Sequence, residues 1–595
     1  MNRKFLALAA LLASPACTTV ATTPPAQTAV TAPAVSAPAR PTGTGMVSAA
    51  DQRAAAAGVE ILNAGGNATD AAIATQLALN VVEPQSSGIG GGSFWVSHDA
   101  ATGKVSTIDG REKAPAAAGP AWFYADDKPL SHRDAVPGGK SVGVPGALRA
   151  MAMAHARSGK LPWAQLFRPA IRLARDGFQV TERMNNSIDS YGGHVTGWAR
   201  NAFFGADGKA LPVGTLFKNP DQAALFERIA AAGPDAFYKG ATAQQIVDTV
   251  NGAQRNPSRM TTADLATYEA KSRDPVCAKY RVYRICSMGP PSSGGLTVLM
   301  ILKQLERFDM AAMGEHSPVA WHLFAESSRL AFADRNMYIG DPDFVSVPVK
   351  GMLDPAYLAT RSALMSTTST IANVAAGTPP GAPSRQKATP GEVPGTTDLV
   401  TVDSAGNVVE VTTTIEGVFG SGLSVDGAML NNQLTDFDIV PTDDGYLVAN
   451  RVEGGKRPRS SMSPTIVYGP DGHVRIALGA AGGPTIISQI AKALVGVLDW
   501  DMSAQEAIAT GLIFAPGKTA YLEAATERAD MAPALVALGE DVKVAPLGLK
   551  ANAIEWKNGR WVGAADPRSE GVAMSQDGSV TRIDRVGRPG NRPAE

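Results

Sequence analysis

The stretch "EVPGTTDLVTVDSAGNVVEVTTTIEG" (392–417) holds two threonines whose spacing permits nucleophilic chemistry. Its centre, "DSAGN" (403–407), is a turn signal between two strand-like runs, so the segment reads as a hairpin. A pairing centred on Ala405 sets Val402 opposite Val408, Val400 opposite Glu410 and Thr396 opposite Thr414. The Thr414 hydroxyl then lies within hydrogen-bond reach of Thr396. Threonine is common in strands, so the hairpin alone says little. What precedes it says more: residues 367–395 are rich in Pro, Gly and Thr and read as an exposed connector ending at Gly395. If the chain is cut after Gly395, Thr396 carries both an Oγ and a free α-amine. An α-amine titrates at about pH 8 and takes up the hydroxyl proton near neutrality. Nucleophile and base then share one residue, with Thr414 orienting the hydroxyl. Amide acyl transfer by this route still needs an oxyanion hole and a clamp for the substrate.

The elements that must position these groups follow from hydrophobic spacing. "SAADQRAAAAGVEILNAGG" predicts a helix with Ser48 as N-cap and a stop at Gly65-Gly66. "NATDAAIATQLALNVVEP" predicts a helix apolar nearly all round, hence buried, running into the glycine loop "QSSGIGGGSFWV" and a strand. Further helices are expected at 145–157, 163–176 and 318–335. After the connector, strands are expected at 398–402, 408–415 and 463–468, then helical segments near 484–498 and 503–511. Two glycine stretches imitate nucleotide loops. In "GIGGGS" (88–93) the loop follows a helix and Ser93 holds the last glycine position. In "DAVPGGKS" (134–141) Asp134 stands where the first glycine is needed. Both read as tight turns.

Bulk properties narrow the class. The 595 residues carry a formal net charge of −1, which gives no attraction for nucleic acid or an acidic membrane surface. Seven histidines without paired spacing argue against a zinc site, and no metal or organic cofactor is expected. "MNRKFLALAALLASPAC" has Arg3 and Lys4, an apolar run to Leu12 and small residues, the pattern of a secretory signal (1–16). Cys17 leaves two outcomes open, ordinary cleavage near Ala16 or a lipid anchor on Cys17. Residues 17–45, rich in Thr, Pro and Ala, read as a flexible tether. The expected location is periplasmic or secreted. Cys277 and Cys286 would face each other in a hairpin turning at Arg281-Val282. An oxidising compartment permits a disulfide there, and two buried thiols remain the alternative.

Nine motifs in order carry a resemblance: "NVVEPQSSGIGGGSF", "DGREKAP", "VGVPG", "MGPPSSGG", "TTDLVTVD", "LNNQLTDF", "KRPRSSMSPTI", "GAAGGPTII" and "AADPRSEG". From Met46 to the C-terminal region the chain resembles the gamma-glutamyltransferase family of N-terminal-nucleophile (Ntn) hydrolases. The resemblance implies an α+β fold of four αββα layers. It also implies a precursor self-cleaved into a large chain (46–395) and a small chain (396–595) that remain together as a heterodimer. Thr396 matches the catalytic threonine and Thr414 the threonine that supports it. Arg111 in "DGREKAP" matches the arginine that clamps the substrate α-carboxylate, a task suited to a bidentate fork. Ser460 and Ser461 match the serines completing that site. Asp436 matches the acid that holds the α-ammonium, with Gln433 nearby, and Gly482 and Gly483 match the oxyanion-hole amides. The implied substrates are glutathione and other γ-glutamyl compounds, with water, amino acids or dipeptides as acceptors.

One position departs from the pattern. Where the family usually has Asn, two residues after the supporting threonine, this chain has Glu416. An ionised carboxylate there repels the substrate carboxylate unless it turns away. It could instead favour the ammonium or another acyl group. Two rivals therefore stand beside the main reading: a same-fold acylase acting on glutaryl side chains of β-lactams, and an uncleaved periplasmic protein that only binds γ-glutamyl compounds. The segment 438–457, carrying Tyr446, matches a region that often forms a lid.

Overall fold

The structure is a computed structural model and describes residues 43–383, 395–443 and 445–581. The expected leader, most of the tether and the last part of the connector lie outside the described residues.

Two antiparallel sheets form the centre. In order across the first sheet run Val580–Thr581, Val572–Ser575, Met46–Ala49, Thr396–Val402, Val408–Thr414, Gly92–His98, Val105–Gly110 and Lys271–Arg273. Across the second run Arg560–Ala565, Lys550–Lys557, Val474–Ala481, Thr465–Tyr468, Tyr283–Ser287 and Val276–Tyr280. The strands Thr396–Val402 and Val408–Thr414 lie against Val474–Ala481 of the opposite sheet. Strand alternation sorts their side chains. Leu399, Val409 and Val411 join the core under the helices of the first sheet, while Val400, Val402 and Val408 join the core between the sheets.

Helices cover both outer faces. Gln52–Asn63 and Ala68–Val82 pack on the first sheet, and Gly294–Leu305 and Thr485–Leu498 on the second. All residues of Ala68–Val82 are buried, as its all-round apolar pattern predicts. Its start is fixed by a capping box between Asn67 and Asp70. Burying Ile73, Leu77, Leu79, Val81 and Val82 contributes roughly 1.5–3 kcal/mol each. The result is the expected helix–sheet–sheet–helix stack.

One local expectation fails. Ser48 does not cap a helix but lies inside the central strand Met46–Ala49, and Asp51 caps Gln52–Asn63 instead, accepting from Arg53 N. Four residues flanked by strands on both sides are too few to show a strand period. The remaining helices and strands fall within a few residues of expectation, and "DAVPGGKS" forms two short turns as read. Cys277 and Cys286 are register partners in the hairpin and form a disulfide.

Candidate active site

The expected hairpin is present in the expected register, with Thr396 opposite Thr414 and Val402 opposite Val408. Thr396 Oγ1 donates to Thr414 Oγ1 at 3.2 Å. Thr414 Oγ1 in turn donates to the Gly395 carbonyl at 2.9 Å and accepts from Glu416 N at 2.8 Å. A relay of two hydroxyls therefore ends on the carbonyl of the Gly395–Thr396 bond. Gly395 is required by space, because a Cβ there would lie 2.2 Å from the Glu416 carbonyl oxygen. The turn beyond Thr414 is strained, with Glu416 at φ +77° and Phe419 at +65°.

The next residue is anchored separately. Thr397 donates to Glu83 Oε2 at 2.6 Å, and Lys550 Nζ reaches the same carboxylate at 3.0 and 3.1 Å. Burial alone would raise the Glu83 carboxyl, but Lys550, Arg183 and the Thr397 hydroxyl outweigh it and lower it. Burial also lowers Lys550, to about 8. This ion pair joins two segments on opposite sides of Gly395. On the inter-sheet face below Thr396 lie two more buried acids. Thr412 Oγ1 donates to Asp398 Oδ2 at 2.9 Å and lies 3.4 Å from Glu410 Oε1. Burial raises Asp398 to about 6, and burial beside Asp398 raises Glu410 well above the carboxylate range.

Facing the threonines is a small cavity lined by Arg111, Thr396, Thr414, Glu416, Gln433, Asp436, Ser460, Ser461, Met462, Gly483 and Ile486. Nine of the ten residues proposed from sequence are in that set, and the tenth, Gly482, adjoins Gly483. Met462 and Ile486 are additions, apolar walls that lie inside two of the quoted motifs but carry no reactive group. Gly482 and Gly483 sit between the strand Val474–Ala481 and the helix Thr485–Leu498, with φ of +132° and +58°. These are backbone conformations that favour glycine. The turn places their amides at the positive end of a long helix, where negative charge is stabilised.

The polar end of the cavity is built around Arg111, which is 1% exposed. Its Nε donates to the Pro458 carbonyl at 3.1 Å, and Nη2 donates to the Arg459 carbonyl at 2.9 Å and to Asp436. Gln433 Nε2 also donates to Asp436, at 2.7 Å. Arg111 therefore has Nε and Nη2 engaged by the protein, so the expected two-nitrogen fork is not presented whole. Nη1 remains, 4.0 Å from Glu112 Oε2. Glu112 is fully buried with neither carboxylate oxygen hydrogen-bonded, and burial raises it to about 8 despite Arg111. The Glu416 side chain does not turn outward. It is 3% exposed, lines the cavity and accepts from Asn432. Glu83 and Glu112 both lay inside quoted motifs, yet nothing local marked them as more than helix-end or surface acids. Tyr446 is exposed in a short hairpin, Thr442–Asp443 with Tyr446–Leu447.

Two facing sheets between helical layers, with a threonine opening a central strand against a polar cavity, define the Ntn-hydrolase class of enzyme. The family model for gamma-glutamyltranspeptidase matches residues 54–576, and the chain belongs to that family. It is 36% identical over 543 residues to the glutathione hydrolase proenzyme of Bacillus subtilis (strain 168), covering 89% of this chain and 91% of that protein. It is equally 36% identical over 553 residues to the acylase ACY 1 proenzyme of Pseudomonas sp. (strain SE83), covering 90% and 94%. Among solved structures, the cephalosporin acylase from Bacillus halodurans superposes with a TM-score of 0.78 at 27% identity, over 90% of this chain and 96% of that one.

Proposed function

We propose that this enzyme transfers γ-glutamyl groups from amides such as glutathione to water or to an amino acid or peptide, and that it matures by cutting its own Gly395–Thr396 bond. The observation that carries the substrate reading is one small cavity with two opposite charges at one end. Arg111 Nη1, Ser460 and Ser461 suit a carboxylate, while Asp436, held by Gln433, suits an ammonium. An amino-acid head group carries both on one carbon. Glutathione is the donor in the name of the Bacillus subtilis relative.

In the precursor, Thr396 Oγ attacks the Gly395 carbonyl carbon while the Thr414 hydroxyl, bonded to that carbonyl at 2.9 Å, stabilises the developing oxyanion. The C–N bond breaks, the nitrogen takes the proton released from Thr396 Oγ and becomes the α-amine, and water hydrolyses the resulting ester to a Gly395 carboxylate and the Thr396 hydroxyl. The large chain (46–395) and small chain (396–595) stay associated, supported by the buried Glu83–Lys550 pair and by the shared central sheet. In turnover the α-amine of Thr396 takes the Oγ proton, and Oγ attacks the γ-glutamyl carbonyl. The amides of Gly482 and Gly483 hold the oxyanion, and the amine leaves with the proton. Water or an acceptor amine then releases the acyl group by the same steps. The charge and leader of the N-terminal region support export to the periplasm or beyond.

The acylase alternative is favoured by the Pseudomonas acylase at equal identity and by the superposition on the Bacillus halodurans acylase. A glutaryl group keeps the carboxylate and lacks the ammonium, so it leaves Asp436 without its substrate partner. Turnover of γ-glutamyl and glutaryl p-nitroanilides decides between them. A glutaryl rate above the γ-glutamyl rate overturns the proposal. A protein that stays one chain on a gel and turns over neither is the binding protein instead.

A further inference from the structure

The carboxylate end of the cavity rests on a second arginine, Arg335, in the last turn of the helix Pro318–Tyr338. Arg335 is fully buried. Its Nη2 donates to Ser461 Oγ at 2.6 Å, its Nε to Ser293 Oγ at 2.8 Å, and its Nη1 to Asn336 Oδ1 at 2.9 Å. Ser293 passes the restraint on, donating to the Ser460 carbonyl through its hydroxyl at 2.6 Å and its amide at 2.7 Å. The Ser460 amide donates to the Pro291 carbonyl at 3.1 Å, and the Ser292 hydroxyl donates to the Met462 carbonyl. The "MGPPSSGG" loop and Arg335 together thus hold the Ser460–Met462 turn from behind.

The direction of the proton matters here. A guanidinium only donates, so the Ser461 oxygen is the acceptor in its contact with Arg335. The Ser461 O–H hydrogen therefore points away from Arg335, and Ser461 lines the cavity. A charge-assisted bond to the oxygen also polarises the hydroxyl and strengthens it as a donor. A carboxylate has acceptors only, so a fixed donor with positive charge behind it recognises that group and not an ammonium.

We propose that Arg335 is a positioning residue that sets acyl-donor specificity: it orients and polarises Ser461 toward the substrate carboxylate and places a second buried positive charge behind Arg111's site. This rests on the reading of the cavity as the head-group site. Arg335 touches no reacting atom, so its effect falls on selection of carboxylate-bearing donors and not on the acyl-transfer chemistry.

Three p-nitroanilides separate these effects: γ-glutamyl (carboxylate and ammonium), glutaryl (carboxylate alone) and 4-aminobutyryl (ammonium alone). Arg335→Lys is expected to mature into two chains. It should raise KM about tenfold for the first two substrates, change kcat less than about twofold, and leave the 4-aminobutyryl KM unchanged. In a Ser461→Ala background the same substitution should add less than about twofold, because the hydroxyl it acts through is gone. Ser293→Ala, which removes the Nε anchor, should give the same pattern at about threefold, and it carries the test if Arg335→Lys does not mature. Equal KM changes for all three anilides, or effects of Arg335→Lys and Ser461→Ala that simply multiply, overturn the proposal. If Arg111→Lys and Ser461→Ala themselves fail to separate the carboxylate-bearing anilides from 4-aminobutyryl, the head-group reading falls and this inference with it. If they do separate them and Arg335→Lys does not, the role of Arg335 alone is wrong.

Discussion

The two halves of the cavity are built in different ways. The nucleophile half is one hairpin, and the partners Thr396 and Thr414 are brought together by a five-residue turn and strand register. The head-group half is assembled from Arg111, the 433–436 turn, Ser460 and Ser461, backed by Arg335 and the 291–293 loop. The first half depends on local pairing and two hydroxyls. The second is a set of charges held in low dielectric, with Arg111 already bonded to Asp436 before substrate arrives. Damage to the hairpin should therefore abolish chemistry outright, and damage to the charged half should scale selectivity and pH dependence.

The largest effect tests the hairpin. Thr396→Ala should leave a single uncut chain with activity at background, while wild type shows two chains, the smaller beginning at Thr396. N-terminal sequencing that places the break elsewhere would refute the assignment. Next comes the clamp. Arg111→Lys loses charge-assisted bonds worth about 2–4 kcal/mol, so kcat/KM should fall about 30- to 1000-fold while self-cleavage proceeds. Unimpaired turnover of γ-glutamyl anilide by this variant would remove Arg111 from the site.

Smaller effects come from buried acids. Glu112, held near 8 chiefly by burial, is neutral below that pH and ionises above it, beside Arg111 and within the field of Asp436. The γ-glutamyl KM should rise severalfold above pH 8, and Glu112→Gln should flatten that limb while any alkaline change in kcat remains. A KM profile identical in the two proteins would show that Glu112 does not reach the clamp. Glu410 tests stability instead. Its folded pKa lies above its unfolded value of about 4.3, so the folded state binds more protons and stability falls as pH rises past about 4. Glu410→Gln removes that penalty, and its melting temperature relative to wild type should rise by a few degrees between pH 5 and pH 8. A constant difference across that range would mean the carboxyl is not held protonated. The smallest effect is at Glu416, which lines the cavity beside Asp436. Glu416→Asn should narrow the γ-glutamyl over glutaryl preference by about threefold. An unchanged preference with a lower KM for both substrates would mean that Glu416 repels the carboxylate they share and does not attract the ammonium.

The legible parts of the sequence were those with a short-range signature. The turn at 403–407 and the alternation around it gave the hairpin register residue by residue, and the apolar stretch at 68–82 gave a buried helix. The disulfide was open on sequence grounds because facing positions in a hairpin permit a bond without requiring it. Ser48 departs from the expected cap because a four-residue strand gains its identity from neighbours at 399–402 and 572–575, far along the chain. Arg335 was invisible for the same reason: on a helix it reads as one more charged position, and only the fold sets it behind Ser461.

The reactive threonine's setting, the family motifs and the residue types of the cavity are readable along the chain, because strand register and turn chemistry act over a few residues. How the charges are shared depends on the fold. It set Arg111 on Asp436, Glu112 beside Arg111 without a hydrogen bond, and Glu416 on Asn432. Burial and Coulomb interaction depend on distance through space, and Arg111 and Asp436, 325 residues apart in the chain, meet only in the fold.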